Sequence, residues 1–215
     1  MTYLELVNSV LRRLRENTVE EVSQTTYSRL VGEFVNDAKR YCEDAWDWSG
    51  LRTTLTATTE SGTFNYALTD SGQRIKVFRV IDDTNNRFLQ YQTSAWMSNA
   101  FLNGTAPNGE PLYYNFNGLD ANNDTLVDLY PIPNAAYEIR FEVIKRPEAF
   151  TSDTDSLSIP SDPVIQWAMA YALRERGEAG GQTAPEQVLF AQQALSDAIA
   201  LDAQKYPEET IWNVV

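Results

Sequence analysis

Histidine is missing from all 215 residues, and with it go the commonest general base, the usual Ser/His and Cys/His pairs, and the commonest metal ligand. The single cysteine, Cys42, has no partner for an intramolecular disulfide. Set among apolar neighbours at helical spacing, it reads as a buried, inert thiol. No apolar run approaches the roughly 20 residues that span a bilayer. The opening Met1-Thr2-Tyr3-Leu4-Glu5 lacks the basic-then-apolar pattern of a signal peptide, so a chain that is cytosolic when made is expected. Basic residues are also scarce: 17 Lys and Arg stand against 30 Asp and Glu, a formal charge of −13. Tight binding of duplex nucleic acid rests on cations neutralising phosphates, so this balance argues against it, and anionic membranes are equally disfavoured. Nor is there a Walker loop, a dinucleotide fingerprint, a nucleophile elbow or a Cys/His metal cluster.

What is present is enough apolar material for a core, 43% hydrophobic and 12% aromatic. Thr2 and Glu5 form a capping-box pattern ahead of Tyr3, Val7, Val10 and Leu14 at helical spacing. Arg12, Arg13 and Arg15 crowd the last turns, where cations complement the helix dipole. A second helix carries Tyr27, Leu30, Val31, Phe34, Val35, Ala38, Tyr41, Cys42, Ala45 and Trp46 on one stripe, and Gly50 is placed to end it in a left-handed conformation.

From Leu51 to about Arg146 the period changes to two. Segments such as Phe64-Tyr66-Leu68, Ile75-Val77, Arg87 to Tyr91, Leu112 to Phe116, Leu126 to Tyr130 and Tyr137 to Lys145 alternate with Gly, Asp and Asn turns. This predicts neighbouring strands paired as antiparallel hairpins, with a short helix over Thr93 to Phe101. After a polar linker, Ser152 to Ser158, helices resume at Asp162-Pro163, read as N-cap and first helical residue, and at Pro185. The economical arrangement is α+β: a four-helix bundle from residues 1–50 and 160–205, an antiparallel β domain, 51–150, inserted in it, and a docking tail, 206–215.

Candidate chemistry is thin. Asp120, Asn122 and Asp124 match the first ligands of a calcium loop, but Thr125 and Pro131 stand where glycine and glutamate are required, so the segment reads as a turn. The acidic pairs Asp82-Asp83, Asp44-Asp47 and Asp153-Asp155 invite a glycosidase reading, yet each is explicable as a turn, helix end or linker. No catalytic, cofactor-binding or metal-ligating residue is assigned. The tail is more informative: within residues 208–215, Ile211, Trp212, Val214 and Val215 make an apolar segment too short to fold alone, which should bury itself against its own domain, a neighbouring subunit or a second protein.

The opening Met1-Thr2-Tyr3-Leu4-Glu5-Leu6-Val7-Asn8, the stretch Val35-Asn36-Asp37-Ala38-Lys39 leading to Ala45-Trp46-Asp47-Trp48-Ser49-Gly50-Leu51-Arg52, and the run Ala194 to Ala203 resemble the head-to-tail adaptors of tailed bacteriophages, also called head-tail connector or tail tubular proteins. The likeness spans nearly the whole chain, and Trp-Asp-Trp-Ser is its most distinctive part. The resemblance implies a non-enzymatic structural protein of the virion, without cofactor. It implies a homo-oligomeric ring of about twelve subunits joining the portal to a tail nozzle or tail tube protein at the head-tail interface. Double-stranded DNA would pass through the lumen without specific binding, which the acidic balance suits. It also implies that Tyr206, Ile211, Trp212, Val214 and Val215 engage portal or neighbour. The alternatives are another virion component, such as a stopper or receptor-binding module, and a hydrolase.

Overall fold

The Thr2 hydroxyl accepts the Glu5 N–H while the Glu5 carboxylate accepts the Thr2 N–H, and this reciprocal cap starts helix α1, Tyr3–Arg13, in the computed structural model of the protein. Residues 1–102, 106–177 and 184–205 are described. The chain divides into two units, one of Met1–Leu51 with Glu148–Val215 and one of Arg52–Pro147.

In the first unit, Thr25 and Ser28 repeat the reciprocal cap at the start of α2, Thr26–Ala45, which buries Val31, Val35, Ala38 and Cys42 along one stripe. Helices α4, Ser161–Glu175, and α5, Ala184–Ala203, complete the unit. α4 begins a little earlier than its sequence suggests: Pro160 stands at the N-cap and Pro163 is the third helical residue, still in the first turn, where a missing N–H costs nothing. Gly177, just past the end of α4, takes the left-handed conformation that a side chain would disfavour.

These helices do not make the four-helix bundle expected from the sequence. α4 is a hub packed on α1, α2 and α5, whereas α5 has α4 as its one extensive partner. A bundle needs each helix flanked by two others, and here an irregular segment takes that place. Residues 148–157, which read as part of a linker, are sewn to α1 and α2: the Tyr3 N–H donates to the Asp155 carbonyl at 2.8 Å and the Leu157 N–H to the Met1 carbonyl at 3.0 Å. Asn36 holds both polar backbone groups of Phe150. The described residues carry five α-helices and ten strands in three sheets.

The second unit contains β1 (Arg52–Thr58), β2 (Asn65–Ala67), β3 (Ile75–Asp82), β4 (Arg87–Phe88), β5 (Gln90–Tyr91), α3 (Ser94–Leu102), β6 (Asn108–Gly109), β7 (Tyr113–Leu119), β8 (Thr125–Tyr130), β9 (Ile132–Pro133) and β10 (Glu138–Lys145). The sheets run β1-β10-β3-β4, β2-β8-β7-β5 and β6-β9. Consecutive hairpins account only for β3-β4 and β7-β8; β1 pairs with β10 and β2 with β8, while β5-β7 and β6-β9 are parallel. Turn residues are local and mark where strands end, but pairing is decided by which faces can share a core. That core joins Val80, Ile139, Phe141 and Val143 of one sheet to Tyr114, Val127 and Leu129 of the other. β10 shows the alternation plainly, with Ile139, Phe141 and Val143 buried between Glu138, Arg140 and Glu142. α3 covers part of the second sheet through Trp96, set against Tyr113 and Tyr130, and Phe101, set against Tyr130 and Phe64.

Candidate functional site

The segment Trp46 to Gly50 forms a clasp at the end of α2. Trp48 is 1% exposed, and its indole N–H donates to the Cys42 carbonyl at 2.7 Å, satisfying one of the last helical carbonyls that have no partner within the helix. Ser49 donates its N–H and its hydroxyl to the two Asp202 carboxylate oxygens at 2.9 and 2.6 Å. Lys205 adds a third donor at 3.0 Å. Gly50 is required for a different reason from the one its sequence suggests: its φ is not left-handed, but a Cβ there would lie 2.3 Å from the Ser158 carbonyl oxygen. The clasp therefore fastens the end of α5, from which residues 206–215 depart.

Burial of Asp202 pushes its carboxyl up, but the Ser49 hydrogen bonds and the Lys205 ammonium outweigh that and hold it below the usual carboxylate range. A carboxyl lowered by folding contributes stability above its unfolded value and loses it as pH falls through the folded value. Asp202→Asn is expected to cost about 1–2 kcal/mol at neutral pH, from weakened charge-assisted hydrogen bonds. In urea titrations over a pH series, the difference from the parent should shrink as the solution is made acidic. A gap that stayed constant to low pH would show that the charge of Asp202 contributes nothing.

α5 buries Ala184, Gln187, Ala191, Leu195, Ala198 and Asp202 along one face. Three large apolar side chains stand outside that buried face: Leu189, Phe190 and Leu201 are 65%, 57% and 66% exposed. A groove of about 480 Å³ lies beside Phe190, lined also by Arg13, Asp162, Gln166, Met169 and Asp197. Helical periodicity along the buried stripe does not point to these three residues. Their signal was available as large apolar residues outside the buried stripe, set among Gln193, Ser196 and Asp197.

The second unit offers a surface of another kind. The β3-β10 register shifts between Glu142 and Val143, leaving Phe78 opposite no residue of β10. Phe78 stands outward, with the Arg52 guanidinium 5.4 Å and the Lys76 ammonium 5.3 Å from its ring. It borders a pocket of about 560 Å³ with Thr53, Thr54, Arg79 and Glu142.

Of the acidic groups singled out in the sequence, Asp82, Asp83, Asp120, Asp124, Asp153 and Asp155 are occupied structurally. Asp120 accepts the N–H groups of Asn122 and Asp124, each at 2.8 Å, and Asp124 accepts those of Asp70 and Gly72 together with the Ser71 hydroxyl. Those bonds, led by that from Gly72, hold the Asp124 carboxyl below its ordinary value. Asp82 accepts from Asn85, while Asp83 takes the Arg140 guanidinium. Asp153 accepts from the Val22 N–H, and Asp155 from those of Thr151 and Ser152. Among the described residues, no group of three or more acidic or cysteine side chains is placed to hold a metal ion. Cys42 is fully buried, and burial pushes its thiol up to about 12. Among the described helices none is long and apolar enough to cross a membrane. Tyr206, Ile211, Trp212, Val214 and Val215 lie outside the described residues.

The family model described as SU10 adaptor protein matches residues 1–211. No curated protein sequence matches the chain.

Proposed function

We infer, since this chain belongs to the SU10 adaptor protein family of phage head-to-tail adaptors, that it forms a ring joining the portal to the tail nozzle or tube and letting genomic DNA pass through the centre. The observation that carries this reading is the family match, which runs across both units and into the tail. Membership places the chain among structural components of the virion. The geometry supplies compatible parts. A closed ring of identical subunits needs two different, complementary patches on each copy, and the chain presents exposed apolar side chains on α5 and a cation-flanked aromatic surface at Phe78. A net charge of −13 suits a lumen that DNA must traverse without adhering. The role is mechanical and needs no reactive centre.

The tail carries the attachment. Tyr206, Ile211, Trp212, Val214 and Val215 engage the portal or a neighbouring subunit, starting from an α5 end fastened by Ser49, Asp202 and Lys205. A fixed exit point lowers the ordering entropy paid when a short segment docks. Particles imaged from purified protein mixed with the cognate portal should show a ring of about twelve copies around a central hole. Ending the chain after Pro207 should abolish attachment to portal while leaving the circular dichroism spectrum unchanged. Undiminished attachment would overturn the role of the tail, and a trimer in place of a ring would indicate a receptor-binding module.

A further inference from the structure

We propose that the Phe78 surface of the β unit receives the acidic outward stripe of α2 from a second copy of the chain. This rests on the ring reading and names the contact by which one subunit holds the next. Charge is divided unevenly along the chain. Residues 52–147 carry 8 Lys and Arg against 10 Asp and Glu, and the remaining residues 9 against 20, a formal −2 beside −11. Within the β unit the cations gather at one place. Lys76 and Arg52 stand by the Phe78 ring, and the bulge leaves Phe78 and Arg79 both exposed. Glu142 is the carboxylate that borders this pocket, and the Arg140 guanidinium lies 3.8 Å from it. A second hollow of about 420 Å³ runs between Phe78 and Phe88, which are 41% and 65% exposed, so the surface is apolar as well as cationic.

α2 offers the matching chemistry. Glu33, Asp37 and Asp44 are exposed and, at i, i+4 and i+11, fall along one line of the helix. Beside them Tyr41, 45% exposed, is stacked on Trp167 with ring centres 4.4 Å apart, so docking needs little further ordering of its ring. The spacings agree. Asp37 and Asp44 are seven helical residues apart, about 10 Å, with Tyr41 between them. Lys76 and Arg79 are three strand residues apart, also about 10 Å, with Phe78 between them. Setting Tyr41 on Phe78 therefore brings Asp37 to Arg79 and Asp44 to Lys76. The apolar groove on α5 is a poorer counterpart, because Arg13 lines it and repels a cationic surface. The three cations surround one ring and form no track for a phosphate backbone. The contact joins two different patches, as a closing ring requires.

The test is sedimentation velocity of the full chain over a concentration series at low salt, without portal. The parent should self-associate, and Arg79→Glu and Asp37→Lys should each raise the dissociation constant about tenfold. The chain carrying both reversals should recover most of the parent's affinity, because the exchanged charges still meet. Added salt should weaken the parent and the double variant alike. A double variant no tighter than the weaker single, with every chain folded by circular dichroism, would overturn the proposal, and so would a parent that stays monomeric throughout. Binding of a single-stranded oligonucleotide by the parent, lost in Arg79→Glu, would also overturn it by assigning the surface to nucleic acid. Rings imaged on portal alongside any of these results would leave the ring reading standing, so the two fail separately.

Discussion

Replacing Lys39 with methionine is expected to destabilise the helical unit by about 3–5 kcal/mol, the usual consequence of removing one partner from a buried ion pair. Lys39 and Glu43 stand one turn apart on α2, 2% and 0% exposed, with 3.1 Å between ammonium and carboxylate. The ammonium also donates to the Glu148 carbonyl at 2.7 Å and lies 5.0 Å from the centre of the Phe150 ring. It therefore binds α2 to the non-helical segment 148–157. Methionine keeps the length of the aliphatic stem but removes the charge, leaving Glu43 buried without its neighbouring cation. By calorimetry the midpoint should fall by about 2–4 °C for each kcal/mol lost. Lys39→Met combined with Glu43→Leu should recover most of the loss, because two apolar groups of matching volume avoid desolvating any charge. If the single substitution proved nearly neutral, the pair would have to be solvated and the packing around Phe150 would differ from that described.

Trp48→Ala should cost a similar amount, about 3–5 kcal/mol, because it opens a cavity in the core and exposes the Cys42 carbonyl without a donor. Trp48→Phe separates the two contributions: it retains most of the buried area and loses the indole N–H, so a penalty of about 1–2 kcal/mol is expected. Both are measured by urea unfolding. The larger substitution should also loosen the hold of Ser49 on Asp202, and with it the fixed departure point of the tail. Hydrogen exchange at the last turns of α5 would register that as faster exchange in Trp48→Ala than in Trp48→Phe. If the rates were equal, the clasp would not depend on Trp48.

Local chemistry made several features legible in the sequence. The capping box of Thr2 and Glu5, the buried stripe of α2 and the alternation along β10 each depend on residues within a few positions of one another. The family resemblance rested on the same kind of evidence, above all the Trp46 to Gly50 segment. What that segment does was less legible. Ser49 is a hydrogen-bond donor for a residue 153 positions away, and Gly50 is glycine because of a carbonyl contributed by Ser158. Nothing adjacent in the chain announces either partner.

Periodicity, capping and composition, which act over a turn or a strand, made legible the kinds of most elements, their order, the acidic and histidine-free chemistry, and the family. Tertiary structure alone decided how the elements combine: that α4 became the hub, that residues 148–157 took the place of a helix beside α1 and α2, and that β1 found β10 and not its neighbour in sequence. It also decided that Leu189, Phe190 and Leu201 face outward. Those outcomes follow from which apolar faces bury the most area together, a property shared among distant residues and absent from any local window.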